Sequence, residues 1–182
     1  MRVAKRAWTD EGGNAVTGCT KVSAGCTHCY AEAVTRRFGG DFSQIILHLD
    51  RLNKPLHWRK PRRVFVNSMS DLFHKDVPAS FILDCFEVMA ACYSQHTFQI
   101  LTKRPERVES VLYGSEGNYY LGGGDWYPNI RLGFSAEDQG SLDKRWAAFL
   151  RRPSERIAWS FAIPLWVSLE PLLGPIVLPA SA

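Results

Sequence analysis

Five short runs of β-branched and aromatic residues recur along this chain with helical patterns between them, and that alternation restricts the fold more than any other feature. The runs are Ala15 to Gly18, Arg63 to Asn67, Thr97 to Thr102, Ile130 to Ser135 and Leu165 to Leu169. Strands separated by helices pair in parallel, because each crossover returns the chain to the same end of the sheet. An α/β fold with about five parallel strands is therefore expected. Between the runs, Pro78 opens a helix to about Tyr93 with Phe81, Cys85, Met89 and Cys92 along one face. Arg104 to Leu112 follows, and Gln139 to Leu150 places Leu142, Trp146 and Phe149 on one stripe before Pro153. Segments 39–62 and 113–129 show neither period and read as irregular.

A chain of 182 residues that is 46% hydrophobic can bury a sizeable core, and one domain, 1–182, is the expected count. No run reaches the apolar length of a membrane span, and Met1 to Arg6 lacks the apolar centre of a signal peptide. A cytoplasmic location is expected. A net charge of +4 allows nucleic acid as a partner without requiring it. Arg59 to Arg63 is a dense basic turn, and Tyr119, Tyr120, Trp126 and Tyr127 flank Gly122 to Gly124. Charge for phosphates and rings for stacking are both present, but a solvated turn and a packed loop explain them as well. The triple glycine lacks the Lys-Ser/Thr ending of a P-loop.

Chemistry is concentrated in Cys19-Thr-Lys-Val-Ser-Ala-Gly-Cys26-Thr-His-Cys29, which runs into a helix expected from Tyr30 to Phe38. Clustered cysteines without an export signal read as thiolate metal ligands rather than as disulfides. Structural zinc wants four protein ligands, and this loop supplies three. A [4Fe-4S] cluster held by three thiolates keeps one iron open for a small molecule, so ligand count favours the cluster over zinc. Cys29 precedes the helix, where free N–H groups and the macrodipole favour anionic sulfur. His28, beside Cys29, is awkwardly placed as a fourth ligand. Cys85 and Cys92 lie seven residues apart, roughly 10 Å along the expected helix, and read as core residues.

Polar residues follow the apolar part of each later strand. They are Asn67, Ser68, Ser70 and Asp71, then Thr102, Lys103 and Arg104, then Ser135, Glu137 and Asp138, then Ser168 and Glu170. In parallel α/β folds the carboxyl ends of strands form the ligand-binding rim, and the Cys loop opens onto that rim. Helix capping is the ordinary alternative for Ser135 and Asp138, and a solvated basic turn is the expected state of Arg104.

These segments carry a resemblance. Asn14 to Cys19, Ser23 to Cys26, Cys29 to Glu32, Val64 to Phe73, Leu101 to Glu106, Leu132 to Gln139 and Ser168 to Pro175 are together similar to the phage-associated three-Cys-motif family of radical S-adenosylmethionine-like proteins. The resemblance implies a partial (β/α) barrel, a [4Fe-4S] cluster on Cys19, Cys26 and Cys29, and S-adenosylmethionine as cosubstrate, in a host-cell cytoplasm if the chain is phage-encoded. Asn67, Ser68 and Ser70 would then meet the methionine amino group, Lys103 and Arg104 a carboxylate or phosphate, and Glu137 and Glu170 ribose or substrate hydroxyls. Asp71 and Ser135 complete the implied cofactor-binding set, and no residue is implied as catalytic acid or base. Longer relatives add a strand with a Gly-Gly-Glu-Ser-Gly motif, so the chain is expected to be truncated relative to the six-unit core. That leaves a sheet edge for a partner or a second copy to cover. The other reading is a degenerate or zinc-stabilised phage protein that binds nucleic acid or a host protein.

Overall fold

A computed structural model describes residues 9–112, 127–149 and 165–178. The chain forms strands β1 (Glu11–Gly13), β2 (Val16–Thr17), β3 (Ile46–Leu47), β4 (Arg62–Val66), β5 (His96–Thr102), β6 (Ile130–Ser135) and β7 (Leu165–Ser168). Helices are α1 (Tyr30–Arg37), α2 (Leu49–Leu52), α3 (Ala79–Ala91), α4 (Pro105–Leu112) and α5 (Gln139–Phe149), with 3-10 turns at Ala24–Cys26 and Lys54–His57. Five strands make one parallel sheet in the order β1-β4-β5-β6-β7, the order in which the chain delivers them. Among the described residues β1 and β7 each pair on one side only, so the sheet is open.

Apolar side chains on one face of the sheet build the main core. Val64, Val66, Phe98, Ile100, Ile130 and Leu132 belong to the buried core, together with Ile82, Phe86 and Met89 of α3 and Val108 and Leu112 of α4. The Lys54–His57 turn packs on α3, α3 on α4, and α4 on α5, which lines the helical elements up in chain order. A smaller cluster holds Phe134, Ala136 and Leu142, with the Trp146 ring edge-on to Phe134 at 6.1 Å and the tail residues Leu169 and Ile176 against it.

Helix starts follow local chemistry. The Asp138 carboxylate accepts the Ser141 N–H at 2.7 Å, while the Ser141 hydroxyl accepts the Asp138 N–H at 3.0 Å, a reciprocal cap that opens α5. Pro105 begins α4, where its missing N–H costs nothing. Pro78 sits one residue ahead of α3, at its N-cap.

Two expectations are corrected. The first sheet strand is Glu11–Gly13, not Ala15 to Gly18: Val16–Thr17 instead pairs antiparallel with Ile46–Leu47. The cause is that Asn67 and Ser70, in the turn after β4, take the Val16 N–H and carbonyl with their side chains and keep Val16 out of the β4 ladder, while the Ala15 carbonyl accepts the His48 N–H just after β3. Within 39–62, expected to be irregular, the chain forms β3, α2 and the Lys54–His57 turn. Most of 113–129, with its ring-flanked glycines, lies outside the described residues, as does Pro153.

Candidate functional site at the carboxyl rim

The Cys loop leaves β2 through Gly18, whose φ of +90° and whose would-be Cβ, 1.8 Å from the Gln44 carbonyl oxygen, leave room for glycine alone. The Gly18 N–H donates to the Met69 carbonyl at 3.1 Å and the Cys19 N–H to that of Phe42 at 2.8 Å, which launches the loop over the carboxyl end of β4. Cys26 closes a 3-10 turn, and Cys29 stands in extended conformation immediately before α1. All three thiols are free and half-buried. Cys26 is near enough to Cys19 to oppose its ionisation slightly. Among the described residues, no three His, Cys, Asp or Glu side chains are gathered closely enough to hold a single metal ion.

Beneath Cys19 lies a buried charge network. Arg104 is only 7% exposed, which overturns its expected place in a solvated turn. One guanidinium nitrogen donates to the Asp71 carboxylate at 3.0 Å and contacts the Cys19 sulfur at 3.6 Å. The other donates to the Thr20 carbonyl at 2.8 Å. Asp71 in turn accepts from the Thr102 hydroxyl at 2.8 Å and the Lys103 N–H at 3.0 Å. Burial alone would lower the Arg104 pKa, but the Asp71 and Cys19 charges outweigh it and raise it. The Cys19 thiol is pushed up by its burial against the pull of Arg104. His74, fully buried, meets the Thr20 hydroxyl at 2.8 Å, and burial followed by the Arg104 charge lowers its pKa and favours a neutral ring.

A second brace meets the loop from β6. Glu137, 1% exposed, accepts from two nitrogens of Arg145 at 2.6 and 3.2 Å. Burial works against its ionisation, yet hydrogen bonds from Arg145 and Ser23 hold its carboxyl below the ordinary value, helped by the nearby Lys103 charge. A Cβ on Gly25 would lie 3.0 Å from this carboxylate, so glycine lets the loop backbone rest directly on it. Arg145 also donates to the Ser135 carbonyl at 2.7 Å, and the Leu173 N–H to the Glu137 carbonyl at 2.7 Å. The Ser168 carbonyl accepts the Ala136 N–H, and Glu170 is exposed ahead of Pro171.

The β4 turn completes the rim. Asn67 adopts a left-handed φ of 56°, and its side-chain oxygen accepts the Val16 N–H at 3.1 Å. That backbone donor fixes the amide orientation, leaving Nδ2 buried and without a partner among the described residues. The Ser68 hydroxyl donates to Asn14 at 3.2 Å, the Tyr30 hydroxyl donates to the Ser68 carbonyl, and the Ser70 hydroxyl donates to the Val16 carbonyl at 2.9 Å.

The rim segments after β4, β5 and β6 therefore converge on the Cys loop, which follows β2. Within that set, Ser70, Asp71 and Glu137 spend their side chains holding the loop and its turns, and Asp138 caps α5. Arg104 was expected at the rim but not as a buried brace, and Arg145, the Tyr30 hydroxyl and Gly25 are bracing positions that the sequence did not mark. Buried Asp71 and Glu137 demanded basic partners, but nothing local marks which arginines supply them. His28 is exposed, and Cys85 and Cys92 are buried in the core as expected. No curated protein and no solved structure matches the chain at a significant level. The profile of the family described as "Protein of unknown function (DUF5131)" matches residues 4–180, nearly the whole length, and the chain belongs to that family.

Proposed function

We propose that the protein is an iron–sulfur protein of the radical S-adenosylmethionine kind, with Cys19, Cys26 and Cys29 as ligands of a [4Fe-4S] cluster at the carboxyl rim. The observation that carries this reading is the loop of three free thiols braced onto the strand ends by Arg104 and Glu137. The donor set suits such a group in kind: each thiolate of a cluster binds its own iron, so the sulfurs need not crowd one ion as around zinc. A strand order that never reverses is also that of a partial (β/α) barrel, the finer architecture proposed here.

When bound, such a cluster supplies the electron that splits a carbon–sulfur bond of S-adenosylmethionine. The chain's own residues position and desolvate the reactants. The unpartnered Asn67 Nδ2 is a donor, so it suits a carboxylate oxygen of the cosubstrate rather than its amino group. Lys103, Ser68, Ser135 and Glu170 remain candidate contacts for the cosubstrate. The Arg104 guanidinium against Cys19 offsets part of the burial that opposes its thiolate. A cytoplasmic site of action, with nucleic acid or a host protein as the macromolecule modified, belongs to the same reading.

The test is anaerobic reconstitution followed by iron and sulfide analysis. About four irons and four sulfides per chain are expected, with 5'-deoxyadenosine released from S-adenosylmethionine under dithionite. Tight stoichiometric zinc, with no iron–sulfur absorbance after reconstitution, would replace this reading with that of a zinc-stabilised binding protein.

A further inference from the structure

A cavity of about 340 Å³ lies away from the Cys loop, between the β1–β4 edge of the sheet and helix α3. Its cause is local. The connection from β1 to β4 covers that groove only with α2 and the Lys54–His57 turn, each four residues long, and Gly13 contributes no side chain beside Val64. The walls are Val64, Val66, Met89 and Phe98, with Trp58 closing one side. Trp58 is fixed there, with Arg62 stacked 4.9 Å from its ring centroid and the His96 ring edge-on at 5.6 Å. The volume falls within the range of small-molecule sites.

Arg51 and Lys54 also line this cavity, and Lys54 is exposed, which places the cationic end at the solvent side. Among the described residues neither has a carboxylate within ion-pair distance, although Arg62 and Arg63 nearby are paired with Glu11 and Asp10. Unneutralised cations at the mouth of an apolar cavity attract an anion whose body is apolar. Cys85, also on the wall, has its thiol pushed up to about 12 by burial, so it presents a neutral surface.

We infer that this cavity binds an amphipathic anion: an apolar body seated between Trp58, Met89 and Phe98, ending in one carboxylate or phosphate held by Arg51 and Lys54. The site is independent of the Cys loop and does not rest on the proposed cluster.

The probes are decanoate, decyl phosphate and decanol, titrated calorimetrically into the full chain. Both anions are expected to bind about tenfold more tightly than decanol, the head group that binds better naming the source. The double variant Arg51→Ala/Lys54→Ala should erase the difference between anion and alcohol. Val88→Trp, at a half-buried position on the cavity wall, should abolish binding of all three while far-UV circular dichroism stays unchanged. Equal binding of anion and alcohol, no binding of either anion at millimolar concentration, or binding untouched by the Arg51/Lys54 pair overturns the inference. The charge variants decide the matter even if Val88→Trp fails to fold.

Discussion

Arg104, at the end of β5, holds two other parts of the molecule with one planar group: Asp71 after β4, and Cys19 and Thr20 at the start of the Cys loop. Its replacement by alanine leaves the Asp71 carboxylate buried without a counter-ion, a change that costs about 3 kcal/mol. We expect Arg104→Ala to lower the urea midpoint accordingly, and Arg104→Lys to restore only part of the loss, because an ammonium lacks the fork that serves Asp71 and Thr20 at once. Equal midpoints for wild type and Arg104→Ala would mean that the network does not hold the loop. The burial of this arginine was hidden in the sequence for a physical reason. Its burial depends on an aspartate 33 positions away, and a basic residue at a strand end reads as solvated unless that partner is known. The cysteines were legible because their spacing is local.

At the level of elements, strands β4 to β7 follow their apolar patterns to within a residue or so, whereas β1 escaped notice. Among the described residues Glu11–Gly13 is an edge strand with two glycines and one ion-paired glutamate, so it leaves no hydrophobic signature. Helix α3 shows the opposite case, since its apolar stripe fixed the environment of Cys85 and Cys92. Burial raises the pKa of both thiols and removes them from solvent. With a thiol reagent at pH 8, the metal-free native chain should therefore expose three of its five cysteines quickly and the other two only on denaturation. Five fast thiols would contradict the buried stripe. The β6–α5 turn makes a further prediction through Glu137. Its folded pKa lies below the ordinary carboxyl value, so the stability it contributes is complete above the unfolded pKa of about 4.3 and is lost as pH falls through the folded one. Glu137→Gln should flatten the decline in thermal midpoint between about pH 5 and pH 2 while lowering stability at neutral pH. An unchanged acid limb would show that Arg145 does not hold the carboxylate ionised.

Across the whole molecule the Cys loop is fastened from four directions: Met69 and Phe42 hold its start, Arg104 and His74 its first turn, Glu137 its centre, and Tyr30 reaches from α1 back to the β4 turn. If these contacts suffice, they do the work that a structural metal does in small zinc domains, where binding energy is folding energy. The rim was legible in outline because polar residues follow apolar strands, but its division into braces and free groups depends on contacts between distant segments. That division makes a prediction about the molecule as a unit. If the braces hold the loop, removing a ligand should spare the fold: Cys26→Ser, changing one half-buried atom, should unfold within about 3 °C of wild type prepared without metal. Exhaustive chelation of protein as purified should likewise shift the midpoint by only a few degrees. A loop closed around zinc behaves differently, because loss of one thiolate ligand releases the metal and its share of the folding energy together. A fall of more than about 10 °C in either experiment would therefore show that metal, not Arg104 and Glu137, organises the rim.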